Sequence, residues 1–496
     1  MKLTAANLSA IASRVPVPGY DRSKLRAGIV HIGVGGFHRA HQAMYLDALL
    51  SESDAFGESD ASQFAIIGVG VRPEDEPMRD TLREQSTLYT LVEKEADRPP
   101  RPRVIGSMID YLFAPDDPEA VLTALTDPAI RIVSLTITEG GYHVNQTTGE
   151  FEADAAVLTE VRDGAQPTST FGFLTEALAR RRAAGIEPFT VLSCDNLPQN
   201  GRVAQRTLSA FASLKDEELG EWINQKVSFP SSMVDRITPV TSPLDSRRLL
   251  EEFGVKDSWP VVCEPFCQWV VEDRFPSGRP ALERVGVQFV DDVEPYELMK
   301  LRLLNAGHQT LCYLGYLAGY RFAHEVCRDP SFVRFVRAYM EEEATPTLEP
   351  VPGVDLPTYK TQLIERFSNP EISDTLSRLC ADASDRIPKF LLPVVHARLA
   401  AGKDVRRSAL VVASWARYAQ GVDEWGRQID VVDRRRTDLT NRAARQLTDP
   451  LAFLEDETLF GDLRYQPAFV EPYVKALDSL HSIGARATVE QWEGRL

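Results

Sequence analysis

Through the first half of the chain, short apolar runs rich in valine and isoleucine alternate with longer segments whose apolar positions recur every three or four residues. The runs over residues 27–32, 64–69, 130–137 and 189–194 predict buried strands, since a strand covered on both faces needs no polar alternation. Between them, 42–51, 118–126 and 171–184 carry helical spacing. That alternation predicts an α/β architecture, a parallel sheet with crossover helices. Further strands are expected over 89–93 and 103–113, and later ones over 261–271 and 285–290. Pro99, Pro100 and Pro102 predict one exposed loop. From about Pro295 onward the pattern turns almost wholly helical, over 296–316, 332–343, 388–401 and 406–420. This change places a domain boundary near Asp291, with no flexible linker, internal repeat or low-complexity segment.

Composition narrows the function classes. The 496 residues exceed what one hydrophobic core organises, and 43% hydrophobic with 26% charged residues is ordinary for globular proteins. The N-terminus lacks the basic-then-apolar pattern of a signal peptide, and no apolar run approaches a membrane span. Lys and Arg number 55 against 72 Asp and Glu, and a net charge of -17 repels phosphate backbones and anionic lipids. Neither nucleic acid nor membrane is expected as a partner. Six scattered cysteines, Cys194, Cys263, Cys267, Cys312, Cys327 and Cys380, fit reduced thiols and a cytoplasmic location better than a disulfide framework.

The first strand runs into Gly33, Val34, Gly35, Gly36, Phe37 and His38, a dinucleotide fingerprint whose third glycine is replaced by His38. Glycine lets such a turn tighten and lets the backbone approach a pyrophosphate at the start of the following helix. An ordinary strand-to-helix turn would look similar. Glu74 and Asp75 follow the second strand, where an acidic residue holds the adenosine ribose. They stand further from the glycines than usual because of a polar insertion over 51–62. Their charge opposes the 2'-phosphate of NADP and favours NAD, although Arg72 beside them would accept that phosphate. They also read as plain loop residues.

In the helical half, the stretch KLRLLNAGH places Lys300, Asn305 and His308 on one helix that starts near Pro295. At about 100° per residue, Asn305 falls roughly 140° and His308 roughly 80° round from Lys300, within one broad face. A lysine among Leu301, Leu303 and Leu304 is expected to be partly desolvated, which lowers its pKa and lets the neutral amine take a hydroxyl proton. A snorkelling lysine beside packed Asn and His is the structural alternative. Residues 193–201, SCDNLPQNG, follow a predicted strand at the sheet edge where ligands bind. Asn196 with Asn305 would supply two amide donors to a developing alkoxide. Asn200 reads as a helix cap.

The blocks at 33–41 (GVGGFHRAH), 231–239 (SSMVDRITP) and 300–308 (KLRLLNAGH), supported by 193–201, fall in one order along the chain. By these blocks the sequence resembles the polyol-specific long-chain dehydrogenases, the mannitol dehydrogenase family, over essentially its whole length. The resemblance implies an expanded Rossmann N-terminal domain binding NAD over 1–290 and a mostly α-helical domain carrying substrate binding and catalysis over 291–496. It also implies a metal-free active site between the two. Under it Lys300 is the general base, and Asn196 and Asn305 stabilise the alkoxide. His308 binds substrate hydroxyls, Glu297 links the base to bulk water, and Asp235 and Arg378 line the polyol site. Without it, Asp235 and Arg236 read as a structural ion pair and Arg378 as a surface charge. The implied reaction is reversible oxidation of D-mannitol to D-fructose with NAD, by a monomer.

Rival readings remain at this level. A zinc polyol dehydrogenase needs converging Cys, His and carboxylate ligands. Cys263 and Cys267 have the wrong spacing for a knuckle, and His38 and His41 sit in the nucleotide turn. His143, His324, His396 and His481 read as structural or solvated. No Gly-x-Ser-x-Gly elbow supports a Ser-His-Asp hydrolase. Other polyols, D-arabinitol or D-sorbitol, share the motifs. A fructuronate or tagaturonate reductase would need a cation such as Arg378 or Arg386 for its substrate carboxylate. An NAD-binding sensor would bind cofactor without turnover.

Overall fold

The computed structural model describes residues 1–56, 60–144, 150–162 and 164–494. It divides into two compact units, Met1–Val293 and Glu294–Leu496. In the first unit, β1 (Ala27–Ile32), β2 (Ala65–Gly70), β5 (Met108–Phe113), β6 (Ile132–Leu135) and β7 (Thr190–Ser193) form a parallel sheet in the order β5-β2-β1-β6-β7. Neighbouring residues of β1 face opposite ways. Ile29 packs with Leu46 and Leu49 of the helix Gln42–Phe56, whereas Val30 and Ile32 pack with Leu174 and Leu178 of the helix Thr170–Ala184. Cover on both faces is why these strands read as unbroken apolar runs.

Two small sheets complete this unit. One joins β4 (Arg101–Ile105), β3 (Tyr89–Glu93) and β9 (Val261–Cys263) in that order; the other joins β11 (Gln288–Val290), β10 (Gln268–Glu272) and β8 (Ser232–Asp235). The apolar run 103–113 is therefore two strands in different sheets. They part at Gly106, where a Cβ would meet the Pro18 ring at 2.7 Å. The run 261–271 likewise splits into β9 and β10, and the last strand is preceded by a 3-10 turn, Leu282–Val285. The proline loop needs correction: Pro102 is buried within β4, opposite Val92, on an edge strand where the missing N–H costs no ladder bond. Only Pro99 is exposed. The polar stretch after residue 51 starts as helix, to Phe56, and its residues 57–59 lie outside the described residues.

The second unit is helical, with only isolated bridges in place of strands among the described residues. The helix Ala306–Leu317 is its axis, buried at every position but Tyr316. Glu294–Met299 leads into it through a π-helical segment, Lys300–Asn305. Residues 388–401 are not one helix: Ala383–Phe390 ends with Pro388 inside it, and Leu392–Ala400 restarts at Pro393. No helix among the described residues is long and apolar enough to cross a membrane.

Candidate active site

In the first unit the glycine turn is held in one shape. Gly33 has φ +94°, and a Cβ there would lie 2.2 Å from the Thr136 carbonyl oxygen, so only glycine fits. Its N–H donates to the Val69 carbonyl at 3.0 Å and its own carbonyl accepts from Thr136 Oγ1 at 2.7 Å. Gly35 and Gly36 then open a short helix, Gly36–Ala40, with nothing but Gly33 O at 3.9 Å where a Gly35 Cβ would stand. This is a cradle that side chains would fill and a pyrophosphate would suit. His38 and His41 both turn inward: His38 is buried, and His41 Nε2 lies 3.0 Å from the Gln268 carbonyl.

At the end of β2, Glu74 is exposed and Asp75 partly buried in a 3-10 turn, with Asp75 Oδ2 accepting from Arg72 N at 3.0 Å. At the ends of β6 and β7, the buried Asp195 accepts from Ile137 N (3.1 Å), Thr138 N (2.8 Å) and Tyr142 Oη (2.7 Å). Burial raises its carboxyl pKa while these bonds oppose the rise. Thr138 sits at φ +63°, held there by this clamp. Asn196 follows Asp195 on an exposed bend. Asn200 is not a cap. It lies inside the helix Asn200–Lys215, donates to the Asp195 and Ser232 carbonyls and accepts from Ser232 N, fastening β7 to β8. Asp235 is buried at the end of β8, and the ion pair expected beside it lies elsewhere: Arg236 pairs with Glu93 at 2.6 Å. The clamp residues Thr138 and Tyr142 were missed, although Gly140 and Gly141 directly after a buried strand were an available signal.

In the second unit the π-segment changes the predicted geometry. Ala306 N–H donates to the Leu301 carbonyl five residues back, so residues five apart stack as residues four apart do in an α-helix. Asn305 thus follows Lys300 by one turn rather than 140° round. Glu297 precedes Lys300 by three residues and His308 follows Asn305 by three, so the four share one stripe. All four are buried. The carbonyl of Arg302, within the π-turn, accepts from Tyr339 Oη at 3.3 Å. His308 packs against Phe367 with centroids 4.2 Å apart and the rings tilted by 38°, and its Nε2 has no hydrogen-bond partner among the described residues. Burial pushes its imidazole pKa down to about 3, with Asp374 opposing and Arg378, Arg366 and Arg386 adding to the fall. Arg378 is not isolated: its Nε and Nη2 donate to the two carboxylate oxygens of Asp374, at 2.7 and 2.6 Å, while the side chain stays half exposed. Arg386 donates to the carbonyls of Arg378 and Leu379, each at 3.0 Å. Among the described residues no group of three His, Cys, Asp or Glu side chains converges as a metal site, and all six cysteines are free.

Known proteins with this arrangement are found over the full chain. Residues 27–284 match the mannitol dehydrogenase Rossmann domain and residues 292–481 the mannitol dehydrogenase C-terminal domain. The chain belongs to the mannitol dehydrogenase family. Mannitol 2-dehydrogenase of Phaeosphaeria nodorum is 46% identical over 99% of this chain and 86% of its own, and that of Aspergillus fumigatus 45% over 99% of each. Among solved structures, Pseudomonas fluorescens mannitol 2-dehydrogenase in ternary complex with NAD and D-mannitol is 47% identical, with TM-score 0.90 over 100% of both chains. A substrate-free D-sorbitol dehydrogenase is 36% identical, with TM-score 0.89 over 99% of this chain and 100% of its own. Family membership agrees with the sequence blocks and with the Rossmann-type sheet followed by helices.

Proposed function

We propose that this chain reversibly oxidises D-mannitol to D-fructose at C2 with NAD and without a metal. The observation that carries the reading is its full-length likeness to the Pseudomonas fluorescens enzyme bound to NAD and D-mannitol. The open glycine turn of the first unit supports NAD binding by residues 1–290, with Gly33, Val34, Gly35, Gly36 and Phe37 at the pyrophosphate and Glu74 and Asp75 as the ribose contacts in this reading. Residues 291–496 take substrate binding and catalysis. When bound, NAD supplies the hydride acceptor.

In this reading Lys300 Nζ takes the C2 hydroxyl proton and Glu297 passes it toward water. Asn196 and Asn305 donate amide N–H groups to the oxygen as it gains charge, an effect felt in turnover more than in binding. His308, neutral and with Nε2 unpartnered among the described residues, holds another substrate hydroxyl. Asp235 and Arg378 line the polyol site.

The hexuronate alternative is disfavoured because Asp374 already pairs with Arg378 through Nε and Nη2, which takes the guanidinium edge suited to a bidentate grip on a substrate carboxylate. A cytoplasmic monomer with a small polyol or ketose as its only ligand besides NAD completes the proposal. The test is NAD reduction with D-mannitol, D-sorbitol and D-arabinitol at equal concentrations: mannitol should give the highest kcat/KM. Binding of NADH without turnover of any polyol would make the chain a sensor instead.

A further inference from the structure

Beneath the glycine turn runs a chain of buried polar groups absent from the fingerprint. His31 projects from β1, fully buried, with Nδ1 2.8 Å from Ser134 Oγ and Nε2 2.9 Å from Thr136 Oγ1. Thr136 spends its single hydroxyl proton on the Gly33 carbonyl, so its oxygen accepts from the Nε2–H of His31. Nδ1 faces Ser134 Oγ, and the Ser134 hydroxyl donates to Gln42 Oε1 at 2.7 Å. Burial holds the His31 imidazole neutral, with a pKa pushed down to about 3, which keeps one donor and one acceptor on the ring.

The other side of His31 explains the departure from the fingerprint. Its ring stacks on His38, centroids 3.5 Å apart and planes within 12°. His38 occupies the place of the third glycine, whose service is close packing of helix against strand. Two flat rings fill that interface instead, and the His38 nitrogens have no hydrogen-bond partner among the described residues.

We propose that His31 is a positioning residue for the dinucleotide: through Thr136 it fixes the Gly33 carbonyl, and with it the backbone of Val34, Gly35 and Gly36 that approaches the pyrophosphate. The proposal rests on the NAD reading above. It separates the hydrogen-bond chain, which sets cofactor affinity, from the ring stack, which sets packing.

The experiment is NADH titration by calorimetry, with thermal melting and fructose kinetics, on the wild type, His31→Phe, Thr136→Val, Thr136→Ser and the double variant His31→Phe/Thr136→Val. Phenylalanine keeps the stack and valine keeps the shape, so both should fold. Each is expected to weaken NADH binding about tenfold, the loss of roughly one buried hydrogen bond. The KM for fructose at saturating NADH should stay within about twofold, since only the cofactor side is disturbed. The double variant should be no weaker than the worse single, because both cut one chain, and Thr136→Ser should bind as wild type. A purely structural role would lower Tm and leave the affinity of the folded protein unchanged, and that result overturns the proposal. Should His31→Phe fail to fold, the Val-against-Ser contrast at Thr136 decides alone. A wild type that binds no NADH removes the cofactor reading and the proposal together; normal wild-type binding with unaltered variants removes the proposal only.

Discussion

Asn305 stands one π-turn beyond Lys300, which lines up an amide donor and an amine along one buried stripe of helix. If that donor acts on the developing alkoxide, Asn305→Ala should lower kcat about 10²–10³-fold, with the mannitol KM changed only a few-fold. Steady-state oxidation at saturating NAD measures both. A large KM effect with kcat preserved would make Asn305 a binding residue only.

Lys300→Ala should lower kcat about 10²–10⁴-fold, the usual loss for a positioned general base. NADH affinity should be unchanged, which calorimetry checks on the same preparation. Turnover near the wild-type level would remove Lys300 from the chemistry.

Asp374→Asn should release the Arg378 guanidinium and raise kcat/KM for fructuronate relative to fructose about tenfold, because a freed cation strengthens hydrogen bonds to a carboxylate. Competing assays with the two ketoses read the ratio. An unchanged ratio would place Arg378 away from the substrate.

These predictions draw on what sequence conveyed and what it did not. Runs such as 27–32 and 189–194 were legible because burial on both faces leaves a continuous apolar signal, and Lys300, Asn305 and His308 because they recur within one short block. The break at Gly106 was not, since only Gly106 and Ser107 separate two strands that belong to different sheets. The π-turn was hidden because KLRLLNAGH also satisfies α-helical spacing, and only the hydrogen bond from Ala306 to Leu301 reveals it. Glu93 escaped because its partner Arg236 is distant in sequence and leaves no local pattern, whereas Asp374, four residues before Arg378, offered a local signal that went unread.

Replacing Glu74 and Asp75 by neutral residues should raise kcat/KM with NADP about tenfold or more by removing charge repulsion from the 2'-phosphate, with Arg72 close by to receive it. Parallel kinetics with NAD and NADP test this. No change would put the ribose contact on other residues.

The buried His308 gives a pH signature. Its pKa is about 3 when folded, below the ordinary value of 6.5, so the unfolded chain takes up a proton first as pH falls. Stability from this ring is complete above pH 6.5 and is lost toward pH 3, at about 1.4 kcal/mol per pH unit. Denaturant unfolding of wild type and His308→Gln should therefore converge as pH falls from about 6.5 to 4. A gap independent of pH would mean the ring is not held neutral.

The most direct test of the central claim is steady-state reduction of fructose by NADH, set beside fructuronate at equal concentration and with EDTA present throughout. The account predicts rapid oxidation of NADH with fructose, little with fructuronate, and no effect of EDTA. Preference for fructuronate, or activity abolished by the chelator, would contradict it.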